Sequence, residues 1–192
     1  MEHLGKQKRD ILVQRILTVK KDQQATQEQL KTTLQAFEDV TGFQGGNLEK
    51  VYNKLNREYD RCQSRANSLK GHVDSVDDVA QKLFSEWNGE IKSMRNPSLR
   101  LQSQRLLRTA RQQHAQYMKQ MRRTEENIQP VLQAFSDQVT FLKHNLNAHA
   151  ISSLQKTSAQ IDAQAAELIR DIDASSKEAD QYIQTLSAAD AK

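Results

Sequence analysis

The chain has 192 residues, of which 36% are hydrophobic, 27% charged and only 5% aromatic, with a formal net charge of +4. Six Gly and two Pro leave few places to turn, and so few aromatic rings argue against a sandwich, a barrel or a doubly wound sheet, which leaves long helices around a thin core. No run approaches the roughly 18 consecutive apolar residues of a membrane span, Met1 to Arg15 alternate charge with aliphatics instead of forming a signal-peptide core, and the lone Cys62 excludes an internal disulfide and a multi-cysteine zinc site.

The first predicted helix lies near 4–41. Its apolar clusters, Ile11 to Val19 and Leu30 to Phe37, flank a polar run from Lys20 to Gln29, which is expected to be exposed or loosely packed. Gly42 supplies a helix stop, Gly45-Gly46 a flexible pair, and Asn47 an N-cap for a second helix near 47–94. That helix carries a heptad seam through Leu55, Cys62, Leu69, Val76, Leu83, Trp87 and Ile91, on which Cys62 and Trp87 read as core. Asn96 before Pro97 is the strongest start signal in the chain and opens a third helix near 97–145. Its seam runs from Leu106 through Ala110, Gln113, Tyr117 and Met121 to Phe135, Gln138 and Leu142, and Pro130 within it predicts a kink. Asn145 and Asn147 mark a weaker turn into a fourth helix near 149–188, where the seam is unbroken from Ile151 to Leu186.

The predicted fold is all-α: an elongated antiparallel bundle of about four long, coiled-coil-like helices in a single domain, 1–192. The longest would measure about 70 Å at 1.5 Å per residue. Charge agrees with neighbouring helices running in opposite directions. Residues 1–21 carry +4, 71–91 carry −4, 92–124 carry +9 and 171–192 carry −3, all at one end, which keeps a surplus of +6. Such a thin rod would leave apolar stripe uncovered, so self-association or contact with other helical proteins is expected.

From Lys92 to Thr124 there is no acidic residue. At 100° per residue Arg100, Arg105, Arg108, Arg111, Lys119, Arg122 and Arg123 fall in one sector about 140° wide, with Leu106, Ala110, Tyr117 and Met121 placed nearly opposite. The stripe reads in two ways: a solvated face neutralised by acidic neighbours, or a site for an anionic membrane surface. Nucleic acid is disfavoured because no aromatic residues interleave the arginines to stack bases. His144 and His149 are five apart, on different faces, and form no metal site. Gly45-Gly46 is followed by Asn47-Leu48-Glu49-Lys50, which lacks the spacing and ending of a phosphate loop. No enzyme, cofactor or metal is expected.

Three segments, KRDILVQRI (8–16), FQGGNLEKVYNKLNREY (43–59) and FLKHNLNAHAISSLQ (141–155), together resemble a bacterial family of uncharacterised all-helical proteins, the domain of unknown function DUF2959. The resemblance spans nearly the whole chain and lends no catalytic residues. It implies a place in the bacterial periplasm or cell envelope, exported or lipid-anchored, with this sequence starting after any such signal. Some members carry a DNA-repair ATPase label, which the residues here do not support. The functional expectation is a non-enzymatic coiled-coil scaffold of the cell envelope; the alternative is a helical protein that binds membrane surfaces, with curvature sensing, through the basic stripe.

Overall fold

The computed structural model describes residues 2–188, with side chains described from residue 8 to residue 187. It contains four α-helices, α1 Glu2–Thr41, α2 Leu48–Ser93, α3 Pro97–His144 and α4 Ala148–Ala188, and no strand among the described residues. The turns fall where the cap residues placed them. Asn47 Oδ1 accepts the backbone N–H of Lys50 at 3.0 Å, Asn96 Oδ1 accepts those of Ser98 and Leu99 at 3.0 and 3.2 Å, and Asn147 Oδ1 accepts that of Ala150 at 3.0 Å. Each asparagine thereby satisfies donors that the first turn of a helix leaves orphaned. The third turn, the weakest in sequence, is closed by the same device as the strongest.

Gly42 ends α1, but not by the left-handed angle usual for a glycine stop. Positive φ occurs at Gly45 (155°) and Gly46 (110°), whereas Gly42 donates its N–H to Glu38 O at 2.8 Å, and a Cβ there would lie 3.1 Å from that same oxygen. Close approach, not backbone angle, selects glycine at 42.

Contacts gather the chain into two compact units, each taking one segment from every helix: residues 1–21, 70–122 and 175–192 form the first, residues 22–69 and 123–174 the second. In the first unit α2 and α3 run antiparallel, with Asp74 opposite Arg122, Asp77 opposite His114 and Trp87 opposite Ser103. Its core holds Leu12, Ile16, Val19, Val76, Phe84 and Met121 together with Tyr117 and Tyr182. In the second unit α1 and α2 are antiparallel through Asp39–Lys54 (2.7 Å) and Thr33 Oγ1 donating to Glu58 O (3.0 Å), while α1 and α4 meet at Gln27–Asp173 (2.9 Å). Phe37 stands edge-on to Phe135, ring centroids 6.1 Å apart, among Leu30, Leu55, Leu142 and Leu168. Each fully buried side chain of this size contributes about 1.5–3 kcal/mol.

Two seam assignments change. The polar run of α1 is not exposed throughout: Gln23 and Thr26 are as buried as Val19 and Leu30 on either side, so the heptad continues through it in polar residues. In α3 the seam holds from Tyr117 to Phe135 and again at Leu142, but differs by one residue at other positions. Leu106 is 49% exposed and Gln113 only half-buried, whereas Leu107 and His114 are buried; later, Val139 takes the place expected for Gln138. α3 passes through Pro130 as one helix, with Pro130 on its exposed side, where water can satisfy the carbonyl that loses its donor.

Candidate anionic-surface site

The first half of α3 begins at Asn96-Pro97 and carries its arginines into the first unit. Arg100, Arg105, Arg108, Arg111 and Lys119 are exposed, and Arg122 is half-buried. Arg122 donates to Asp74 Oδ1 at 2.6 Å, and Arg111 places its guanidinium 6.0 Å from the Phe84 ring centroid. Arg100, Arg105, Arg108 and Lys119 make no ion pair with any described residue. Arg123 is also exposed and without such a pair, but it belongs to the second unit and is no part of this cluster.

Of the acids on α2 and α4 in this unit, two are engaged by α1 and two by α3, where Asp74 meets the stripe residue Arg122. Glu86 of α2 pairs with Lys8 and Asp180 of α4 with Lys20 (2.5 Å), both on α1, while Asp77 faces His114. Each exposed pair is worth only about 0–1 kcal/mol. Their effect is on distribution: Glu86 and Asp180 are spent on α1, Asp74 and Asp77 face Arg122 and His114 of α3, and Arg100, Arg105, Arg108 and Lys119 are left without a pair among the described residues. Lys92, at the end of α2, joins them in a shallow cleft with Pro97, Arg100, Leu101 and Gln104, a residue that the seven-member stripe did not include. Leu99, Leu101 and Leu106 are 57%, 51% and 49% exposed; Leu101 lies within the basic sector, whereas Leu99 and Leu106 lie on the other side of the helix. The heptad spacing alone assigns Leu106 to the core.

The same unit holds a buried polar cluster that no motif announces. His114 is 3% exposed; its Nε2 lies 2.9 Å from Asp77 Oδ1 and its Nδ1 3.2 Å from the Tyr182 hydroxyl. The consistent arrangement is a neutral imidazole that donates from Nε2 to the carboxylate and accepts at Nδ1 from the phenol. Burial pushes the His114 pKa below its ordinary value against the pull of Asp77, and the His114 hydrogen bond holds Asp77 below the usual carboxylate range. Tyr117 packs on Tyr182 with ring centroids 5.3 Å apart, and its buried hydroxyl has no partner. Burial raises both phenols. Cys62 is buried in the second unit, its thiol pushed up to about 11 by desolvation, which leaves it inert as a nucleophile. Among the described residues no three His, Cys, Asp or Glu side chains come together to hold a metal.

The family described as Protein of unknown function (DUF2959) matches residues 1–186. No curated protein and no solved structure matches the chain.

Proposed function

The chain belongs to that family, and from its own residues we propose that it is a non-enzymatic helical protein that binds anionic membrane surfaces through the first half of α3. The observation that carries this reading is the set Arg100, Arg105, Arg108 and Lys119, which has no carboxylate partner among the described residues. A cation near an anionic leaflet contributes about 1 kcal/mol, so four act together where one would be negligible. Leu101, exposed within the same sector, adds an apolar term of about 25 cal/mol for each Å² it buries in the headgroup boundary. No helix among the described residues is long and apolar enough to cross a membrane, so on this reading these residues act at the surface, and the membrane is that of a bacterial envelope. Nucleic acid fits less well: Tyr117 is buried and Trp87 half-buried, so neither offers a face for a base.

The test is flotation with anionic and with neutral vesicles. The protein is expected to rise with anionic vesicles at low salt, to be released at moderate salt, and to ignore neutral ones. Equal recovery with both lipids, or with neither, contradicts the proposal. A scaffold that associates through its helix faces is the second reading, favoured by Ile11 and Leu17, 41% and 42% exposed on α1. Sedimentation that finds only monomer across a wide concentration range removes it.

A further inference from the structure

The short connection between α2, which ends at Ser93, and α3, which begins at Pro97, brings Lys92, Pro97, Arg100, Leu101 and Gln104 around one shallow cleft of about 490 Å³. Its two charged residues are both cations, and neither makes an ion pair with a described residue. Glu90, the nearest acid in sequence, lies about 200° around α2 from Lys92 and lines a separate pocket with Arg9, Leu83, Glu86 and Trp87. The backbone supplies little: Asn96 Oδ1 takes the N–H groups of Ser98 and Leu99, Asn96 O takes that of Arg100, and Pro97 has none. Recognition in the cleft therefore falls to side chains. Two cations from different helices match a group that carries more than a single negative charge. A phosphomonoester carries about −1.5 to −2 at neutral pH on three terminal oxygens, whereas a phosphodiester carries a single charge. The Arg100 guanidinium can engage two of those oxygens as a fork while Lys92 acts on the third as a point charge. Leu101, exposed within the basic sector, lines the same cleft, and an apolar side chain beside the phosphate suits a group carried on a lipid better than one free in water.

We propose that this cleft is a headgroup subsite for a lipid phosphomonoester, held by Lys92 and Arg100; the proposal rests on the membrane-surface reading above, in which Arg105, Arg108 and Lys119 supply charge without selectivity. The experiment floats the full chain with vesicles that contain either phosphatidic acid, a phosphomonoester, or phosphatidylglycerol, a phosphodiester, adjusted to equal zeta potential at neutral pH. The parent should partition about tenfold better to phosphatidic acid. Lys92→Gln with Arg100→Gln should abolish that preference. Arg105→Gln with Arg108→Gln removes as much charge from residues that do not line the cleft, and should weaken binding to both lipids alike while keeping the preference. Helicity and melting of both double variants should match the parent, since all four side chains are exposed. Equal binding of the parent to the two vesicles, or a preference that the cleft variant keeps, overturns the subsite and leaves surface binding standing. Binding to neither overturns both readings. Titration of the free chain with glycerol 3-phosphate separates the sources: saturable binding that the cleft variant loses, without a vesicle preference, assigns the cleft to a soluble phosphomonoester and overturns the lipid assignment.

Discussion

The two halves of α3 continue one helix and yet meet their surroundings differently. From Pro97 to Arg122 the helix carries unneutralised arginines, exposed leucines, an open apolar groove and a buried His–Tyr cluster. From Arg123 to His144 it packs Phe135 against Phe37, turns Asn127 to Asp171, and exposes one large apolar side chain, Phe141. Periodicity determines which side of a helix is buried; where the counter-charges go determines what the other side can do. In the first unit α1 takes Glu86 of α2 and Asp180 of α4, α3 takes Asp74 and Asp77 at Arg122 and His114, and the N-terminal arginines of α3 are left without a pair among the described residues.

That contrast can be broken most forcefully from its quieter side. Phe135→Ala removes a fully buried ring from the second unit and should lower unfolding stability in urea by about 3–5 kcal/mol, with vesicle binding unchanged wherever the variant is still folded. A loss of binding in the folded variant would mean that the second unit takes part in recognition.

The next largest effect lies in the His–Tyr cluster. Tyr182→Phe strips the donor from His114 Nδ1 and should cost about 1–3 kcal/mol, whereas Tyr117→Phe, which removes a buried hydroxyl with no partner, should be neutral or stabilising. Thr26→Val in the second unit is expected to behave like Tyr117→Phe for the same reason. Equal losses for the two tyrosine variants would remove the hydrogen-bond account.

The same cluster fixes a pH dependence. The folded His114 has a pKa below its ordinary 6.5, so as pH falls from about 6.5 the unfolded chain takes up a proton that the folded chain refuses. Stability should therefore hold above about 6.5 and decline from there toward the depressed folded value, with a further loss below about 3.8 as Asp77 is protonated. His114→Gln should flatten the first window and, because His114 is the main cause of the lowered Asp77 pKa, also make the second loss shallower; an unchanged curve would place the titrating group elsewhere. Smaller still, Asn96→Ala should cost about 1 kcal/mol of melting stability, and Asn147→Ala a similar amount, since both caps bond the same kind of orphaned donor.

Helix number, boundaries and family were legible in the sequence, because Asn caps and Gly–Pro punctuation act through local backbone chemistry. The α4 seam was legible too, with Ile161, Ala165, Leu168 and Ile172 all buried as spaced. The α1 seam was not, because Gln23 and Thr26 are polar by composition and buried by position, and only a neighbouring helix can make that so. The arginines of the stripe could be named from spacing, but their ion pairs could not. Whether Glu86 and Asp180 meet α1 or α3 depends on which helices are adjacent, and half-helix charge sums fit either outcome. Leu106 and His114 were misplaced for a different reason: spacings of three and four can be threaded through either of two adjacent residues, so one slip puts Leu106 in the core and hides His114.

On the membrane-surface proposal, the local distribution of charge on α3, and not the net charge of the molecule, directs the protein to an anionic surface. The direct test sets the triple variant Arg100→Glu, Arg105→Glu, Arg108→Glu beside Lys143→Glu, Lys156→Glu, Arg170→Glu, three exposed cations of the second unit. Both change the net charge equally. On anionic vesicles the first should lose at least about a hundredfold in partitioning while keeping parental helicity and melting, and the second should bind nearly as the parent does. Equal losses in the two variants, or full binding by the first, would contradict the account.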